Sequence, residues 1–243
     1  DEDEGLINLR LAGGLGNQLF QLAAASILSS KWHLPIAIDT SGMGSYSTAR
    51  DLSIDQIIDL EAHGVDMSLV KGSCVSKSRI SRLLDGSFMG CYFINDRNFM
   101  SAVKSISAPK KVFMDGYFIE SVSQEIFETA VSLLLPNLKV RSLKTDDNCA
   151  IHVRGGDFLD LNWSIKDPRN YYHSAIIDLI SKRPDLKFTI VTDDIEYARE
   201  ILPASAASFT FTKGDLFSDF SMLVNSKYAV ISNSTFAFWA RAF

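Results

Sequence analysis

The chain has 243 residues, 47% of them hydrophobic, enough for one large core or two small ones. Its 24 lysines and arginines against 29 acidic residues leave a net charge of −5, which argues against a general nucleic-acid binder with a basic face. Cys74, Cys91 and Cys149 lack C-x-x-C spacing, so buried thiols in a reducing compartment are expected rather than disulfides or zinc. No apolar run nears the roughly 20 residues that span a bilayer, and a soluble cytoplasmic protein is the default expectation. The chain opens on Asp1-Glu2-Asp3-Glu4 without a signal peptide. It stops at Phe243 inside an apolar segment with no cap or breaker, and the natural protein is expected to continue.

Residues 6–11 alternate Ile7, Leu9 and Leu11 with Asn8 and Arg10, which predicts a strand. Gly13-Gly14-Leu15-Gly16 follows, then a helix over 17–32 that is apolar on most faces and therefore buried. A short strand is predicted at 35–39. From 40 to 111 the signals weaken, with a basic patch at Lys71, Lys77, Arg79 and Arg82 that reads as a solvated face. Residues 111–118 predict a strand and 122–135 a helix ended by Pro136. The polar stretch 137–148 predicts a linker, giving an N-terminal α/β domain over 1–140 and a second domain over 147–243.

Past the linker, strands are predicted at 149–154, 187–192, 208–212 and 228–232. Helices are predicted at 171–183, 195–202 and 216–224, with a last one from about 234. This alternation predicts a parallel sheet with right-handed crossovers, whose ligands bind outside the carboxyl ends of the strands. Polar residues cluster at three such ends: Arg154 to Asp157, Thr192-Asp193-Asp194 and Ser232-Asn233-Ser234-Thr235. Three together favour a nucleotide site.

At 150–158 the chain reads A-I-H-V-R-G-G-D-F. Strand alternation points His152 and Arg154 together and buries Ile151 and Val153 on the other face. An arginine at a strand end suits a diphosphate, which its planar fork grips with two hydrogen bonds, and Gly155 and Gly156 permit a sharp turn. Taken alone, the motif fits an ion pair between Arg154 and Asp157 slightly better. The turn from Gly13 to Gln18 opens a helix whose free N–H groups suit an anion, yet it is neither G-x-G-x-x-G nor a P-loop, and Asn17 equally suits a helix N-cap. Asp194 reads as a helix cap or, with Asp193, as an acceptor from a ribose or purine edge. A metal reading is weaker, because His33, His63 and His173 are scattered. Ser232 to Thr235 either cap a helix or bind phosphate at its end, and Asp219 reads as an exposed helix charge.

G-G-L-G-N-Q-L-F-Q at 13–21, H-V-R-G-G-D-F at 152–158, V-T-D-D at 191–194 and I-S-N-S-T-F-A-F-W at 231–239 occur in one order along the chain. In that order they resemble the motifs of α-1,2-fucosyltransferases, glycosyltransferase family 11, from Leu6 to Phe243. The resemblance implies an α/β fold of GT-B-like type: two facing Rossmann-type domains, with GDP-β-L-fucose held mainly by the second. It implies inversion at the anomeric carbon with no metal and no cofactor beyond the donor. By the same resemblance Arg154 holds the donor diphosphate, His152 lies at the nucleotide, Asp193 and Asp194 lie near the nucleoside, and Asp219 contacts guanine. Ser234 and Thr235, with Ser232 and Asn233, serve the phosphate side, and Gly14, Gly16 and Asn17 approach the diphosphate from the first domain. The family usually has a second arginine where this chain has Gly155, and Trp-Trp where it has Phe238-Trp239. The first difference removes a positive charge near the site; the second is a packing change.

The expected reaction moves L-fucose from GDP-fucose to the 2-hydroxyl of a galactose-terminated oligosaccharide or glycolipid, with no nucleic acid involved and peripheral membrane association allowed for. Charge growing on the diphosphate is stabilised by Arg154, the helix amides near Ser234 and the Asn17 loop in place of a metal. Asp157 is the nearest acidic candidate to take the acceptor proton, with holding Arg154 as its alternative role. The stretch 159–170 is long for a connection in a parallel sheet, and its Trp163, Lys166 and Arg169 are expected to border the acceptor. The alternatives are a fucosyltransferase of another linkage, α-1,6 or protein O-linked, and a GDP-sugar- or glycan-binding protein without turnover. Only Gly155 favours the latter.

Overall fold

The first predicted strand is β1 (Leu6–Arg10), with Ile7 and Leu9 fully buried. The computed structural model describes residues 5–41, 43, 51–66, 86–88, 91–105, 107–141, 145–203, 209–212 and 214–243. It divides into two compact units, Asp1–Lys139 and Val140–Phe243, each built on its own sheet. The basic patch at Lys71, Lys77, Arg79 and Arg82, and Cys74, lie outside the described residues.

In the first unit β1 leads into α1 (Leu15–Trp32), followed by β2 (Ile36–Asp39), β3 (Val65–Asp66), β4 (Gly86–Phe88), β5 (Cys91–Ile94), α2 (Phe99–Ser105), β6 (Lys111–Met114) and α3 (Gln124–Leu134). The strands run in the order β3-β2-β1-β6-β5-β4, all parallel neighbours except the antiparallel β4–β5 pair. That antiparallel pair and α2 carry no periodic pattern strong enough to be read from the sequence. As expected, α1 is buried on most faces. Its N-cap, however, is Gly14 and not Asn17, which is the third helical residue. Extended backbone at Gly14 lets the helix begin within the glycine turn, so no side-chain cap is made.

Two glutamines of α1 hold the loops at that turn. The Gln18 side-chain carbonyl accepts from Ser53 N and Ile54 N at 3.1 Å each, and its amide donates to Gly13 O and Asp51 O at 2.9 and 3.0 Å. Gln21 accepts from Ala12 N at 3.0 Å and donates to Gly116 O at 3.2 Å. Both are buried, so these bonds satisfy polar atoms that would otherwise be costly to remove from water.

The expected linker at 137–148 is largely structured. Leu135–Asn137 forms a 3-10 turn, Asp59 N donates to Asn137 O at 2.8 Å, and Lys139 N donates to Ile57 O at 2.8 Å. The next strand already begins at Thr145. Its polar start hides it from a hydrophobic-pattern reading: Asp147 pairs with Lys187 at 2.7 Å, and Asn148 donates to Ser226 Oγ at 2.8 Å. The strand expected over 111–118 ends at Met114, and Phe118 adopts a left-handed backbone with φ 59°.

The second unit contains β7 (Thr145–Val153), α4 (Asp157–Asp160), α5 (Pro168–Lys182), β8 (Lys187–Thr192), α6 (Ile195–Ile201), β9 (Phe209–Phe211), α7 (Leu216–Asn225), β10 (Ser226–Val230) and α8 (Thr235–Ala242). Its sheet, β10-β7-β8-β9, is wholly parallel, as the strand–helix rhythm predicts. Ile151, Ile176 and Ile190 are fully buried in its core, with Val153 and Tyr172 nearly so. Parallel strands bring the carboxyl ends of β7, β8, β9 and β10 to one edge. No helix among the described residues is long and apolar enough to cross a membrane.

Arg241 fastens the last helix to this unit. Its Nη1 donates to Leu223 O at the end of α7 and to Ser226 O at the start of β10, both at 2.6 Å. Replacing it by Met keeps most of the stem and removes the charged donors, leaving two carbonyls short of a partner. Arg241→Met should lower unfolding stability by about 1.5–3 kcal/mol in urea titrations, and an unchanged midpoint would show that these bonds are replaced by water at no loss.

Candidate active site

The residues at the carboxyl edge of the second sheet are set by strand register. Val153 pairs with Thr192, so the next residues, Arg154 and Asp193, stand side by side. Arg154 Nη1 lies 2.6 Å from Asp193 Oδ2, and its Nη2 donates to Asp157 Oδ1 at 2.6 Å. The ion pair with Asp157 is thus present, and a second carboxylate joins it. The guanidinium carbon also sits 5.2 Å from the centroid of the Phe158 ring. One cation between two carboxylates leaves a local excess of negative charge. Two of the five guanidinium N–H groups are engaged by these pairs, so Arg154 retains donors for a further anion.

The loop around Arg154 is shaped by its glycines. Asp193 Oδ1 accepts from Gly155 N at 2.9 Å, which orients the carboxylate toward the arginine. Gly156 has φ 47°, and a Cβ there would lie 3.0 Å from Asp193 Oδ2. A Cβ on Gly155 would lie 2.6 Å from Asp194 Cβ. The absent second arginine therefore has a steric reason: the backbone at 155 is in contact with the acidic turn.

The two aspartates divide their roles. Asp193 serves Arg154, while Asp194 caps α6 by accepting from Tyr197 N at 3.0 Å. Ile151 and Val153 are buried, as strand alternation predicts, and His152 is buried as well. Both faces of β7 are covered, and the imidazole lies with Nδ1 2.8 Å from Ser232 Oγ and its ring 5.7 Å from that of Phe236. Burial, assisted by the nearby Arg154 charge, pushes its pKa down to about 3, so the ring is neutral. His152 therefore positions the Ser232 turn. Ser234 is buried at the N-cap of α8 without a side-chain cap bond, and Thr235 opens that helix.

Asn233 donates to Trp163 O at 2.7 Å, a contact that sequence reading did not foresee. It ties the turn after β10 to the segment after α4. A shallow surface depression lies here, lined by Arg154, Ser164, Ile165, Tyr197, Ser232 and Asn233 among others. Phe158 was equally missed, although its position four residues after Arg154 was a usable signal. Arg169 pairs with Glu200 of α6 at 2.9 Å on the exposed surface.

Asp219 stands apart, in the first turn of α7 and on the side of Thr212 and Gly214. It is not the exposed charge of the structural alternative. Its Oδ1 is buried with no hydrogen-bond partner among the described residues, and burial raises its pKa. Gly14, Gly16 and Asn17 belong to the first unit: Gly14 is half-buried, Gly16 is buried within α1, and the Asn17 amide folds back over Gly13. Gly13 needs its glycine, with φ 77° and a Cβ position 2.5 Å from Asn17 Nδ2. Among the described residues no three His, Cys, Asp or Glu side chains form a metal-binding group.

The His152 shift has a consequence for stability. Its ordinary pKa is 6.5, so between that value and about 3 the unfolded chain takes up a proton that the folded chain refuses. This contribution to stability is complete above the ordinary value and declines as pH falls toward 3. His152→Asn should flatten the stability curve between about pH 7 and about pH 4 in urea titrations. Parallel curves for the two proteins would assign the acid sensitivity to other groups.

An alpha-1,2-colitosyltransferase of Escherichia coli is 26% identical over 260 residues, spanning 96% of this chain and 86% of its own length. Among solved structures, the fucosyltransferase NodZ from Bradyrhizobium superposes with a TM-score of 0.59 at 14% identity, over 98% of this chain and 91% of that one. NodZ alpha-1,6-fucosyltransferase soaked with GDP-fucose superposes at 0.55 and 14% identity, over 98% and 92%. The fold is thus the mixed α/β, GT-B type of these enzymes. The sequence profile of glycosyl transferase family 11 matches residues 99–243, which take in the whole of the second sheet, its arginine and its acidic turn. By that match the chain belongs to glycosyl transferase family 11.

Proposed function

We propose that this chain transfers L-fucose from GDP-β-L-fucose to the 2-hydroxyl of a galactose-terminated glycan, with inversion and without a divalent metal. The observation that carries this reading is Arg154, held at the rim of a shallow depression at the carboxyl edge of a parallel sheet, beside the turn that opens α8. Family membership supports glycosyl transfer, the linkage in the colitosyltransferase's name supports attack by a 2-hydroxyl, and the GDP-fucose soaked into NodZ supports the donor.

The chemistry follows from charge. As the bond from fucose to diphosphate breaks, negative charge grows on the leaving oxygens and the sugar takes on oxocarbenium character. Arg154 and the backbone N–H groups at the start of α8 offset that charge, the work a metal ion does in other transferases. The buried Asp219 oxygen suits the N–H edge of guanine, which would supply the donor it lacks. Ser232 and Asn233 hold the turn in place. Asp157 is the acidic group proposed to take the acceptor proton, available once the diphosphate competes for Arg154. Transfer of colitose is the second reading, favoured by the name of the Escherichia coli relative. Parallel assays with GDP-fucose and GDP-colitose separate the two.

Arg154→Ala should slow transfer by at least about 100-fold and weaken GDP binding, as expected for a preorganised charge stabiliser. Near-normal turnover in the folded variant would sink the assignment. Transfer should also survive excess EDTA with no more than a modest ionic-strength effect. Activity abolished by chelation and restored by manganese would place a metal at the acidic turn instead.

A further inference from the structure

We propose that the exposed indole of Trp163 is the surface on which the terminal sugar of the acceptor stacks, which makes Trp163 an acceptor-specificity residue. This rests on the reading of Arg154 as the donor-phosphate arginine. Trp163 is 58% exposed, while Trp32 and Trp239 are buried. An indole in water forgoes the burial that normally fixes it, yet the backbone of this residue is anchored on both sides and its ring rests on a second aromatic. The Trp163 backbone N–H donates to Phe158 O at 2.9 Å, and the Trp163 backbone carbonyl accepts from Asn233 Nδ2 at 2.7 Å. Its ring meets that of Phe158 edge-on, with centroids 5.8 Å apart. Asn162, left-handed at φ 58°, turns the chain so that the residue projects.

The location fits an acceptor. Phe158 contacts both groups, lying 5.2 Å from the Arg154 guanidinium carbon and 5.8 Å from the Trp163 ring. Phe158 thus links the arginine and the indole through direct contacts. Ser164 and Asn233, on either side of the Trp163 backbone contact, line the same depression as Arg154. Galactose carries a contiguous C–H face that packs on an aromatic ring while its hydroxyls stay in water. Leu159 and Leu161 are exposed nearby, which raises a membrane as the rival occupant. Asp157, Asp160 and Asp167 face Lys166 and Arg169 in this segment, so there is no basic excess to attract an anionic lipid surface and a neutral glycan is favoured.

The test uses the whole chain with GDP-fucose as donor and lactose as acceptor. Trp163→Ala should raise the lactose KM by about tenfold to 100-fold, with Trp163→Phe recovering most of the loss and GDP affinity by calorimetry unchanged. Independently of turnover, lactose added with GDP should shift tryptophan emission in the wild type and not in Trp163→Phe, because the other two tryptophans are buried. An unchanged lactose KM with no emission shift overturns the proposal. GDP affinity falling as far as lactose affinity moves Trp163 to the donor side and also overturns it. So does an unchanged lactose KM with lost binding to phosphatidylglycerol vesicles. If the wild type transfers no fucose, the functional reading fails on its own account, and the emission titration still decides whether Trp163 contacts the sugar.

Discussion

The second unit is organised around one cation shared by two carboxylates. Arg154 is gripped by Asp157 and Asp193 at 2.6 Å each, and nearly every neighbouring feature serves that arrangement. Gly155 gives its N–H to Asp193, Gly156 turns the chain through a left-handed conformation, and Phe158 covers a face of the guanidinium. The carboxylates restrict the rotamers of a long side chain before any ligand arrives, which lowers the ordering cost of binding an anion there. They also oppose that anion electrostatically. A tightly bound arginine thus becomes a graded one, whose attraction for a diphosphate is tempered by its resident partners.

The first unit solves a comparable problem with neutral groups. Its glycine turn needs a backbone that approaches closely, and Gln18 and Gln21 supply the fixing bonds from within a buried helix. Amides suit this role, since each offers donors and an acceptor and carries no charge that burial would penalise. His63 does similar work nearby, with Nε2 2.7 Å from Ser26 Oγ and Nδ1 3.0 Å from Asn137. The resemblance to a hydrolytic triad is only formal: Ser26 is buried and donates its own proton to Leu22 O.

Where hydrophobic rhythm was strong, sequence and structure agree. β8 occupies the predicted residues, and the strands and helices after it fall within two or three residues of expectation. The polar start of β7 escaped notice because its side chains are satisfied by Lys187 and Ser226 instead of by a core. At the site, Arg154 and Asp157 were legible because they are close in sequence. The Arg154–Asp193 pair and the Asn233–Trp163 bond join residues distant along the chain, and only register places them together. The burial of His152 was illegible for a related reason: alternation tells which side chains share a face but not whether that face is covered.

The contact between positions 155 and 194 bears on how such a site can be changed. A Cβ at Gly155 would stand 2.6 Å from that of Asp194, so a side chain cannot be added at 155 while the acidic turn keeps its place. A substitution at 155 therefore acts on the cap of α6 as well as on the charge beside Arg154. In this chain the two positions are coupled through that contact, so a side chain placed at 155 has to be read together with the backbone of the acidic turn.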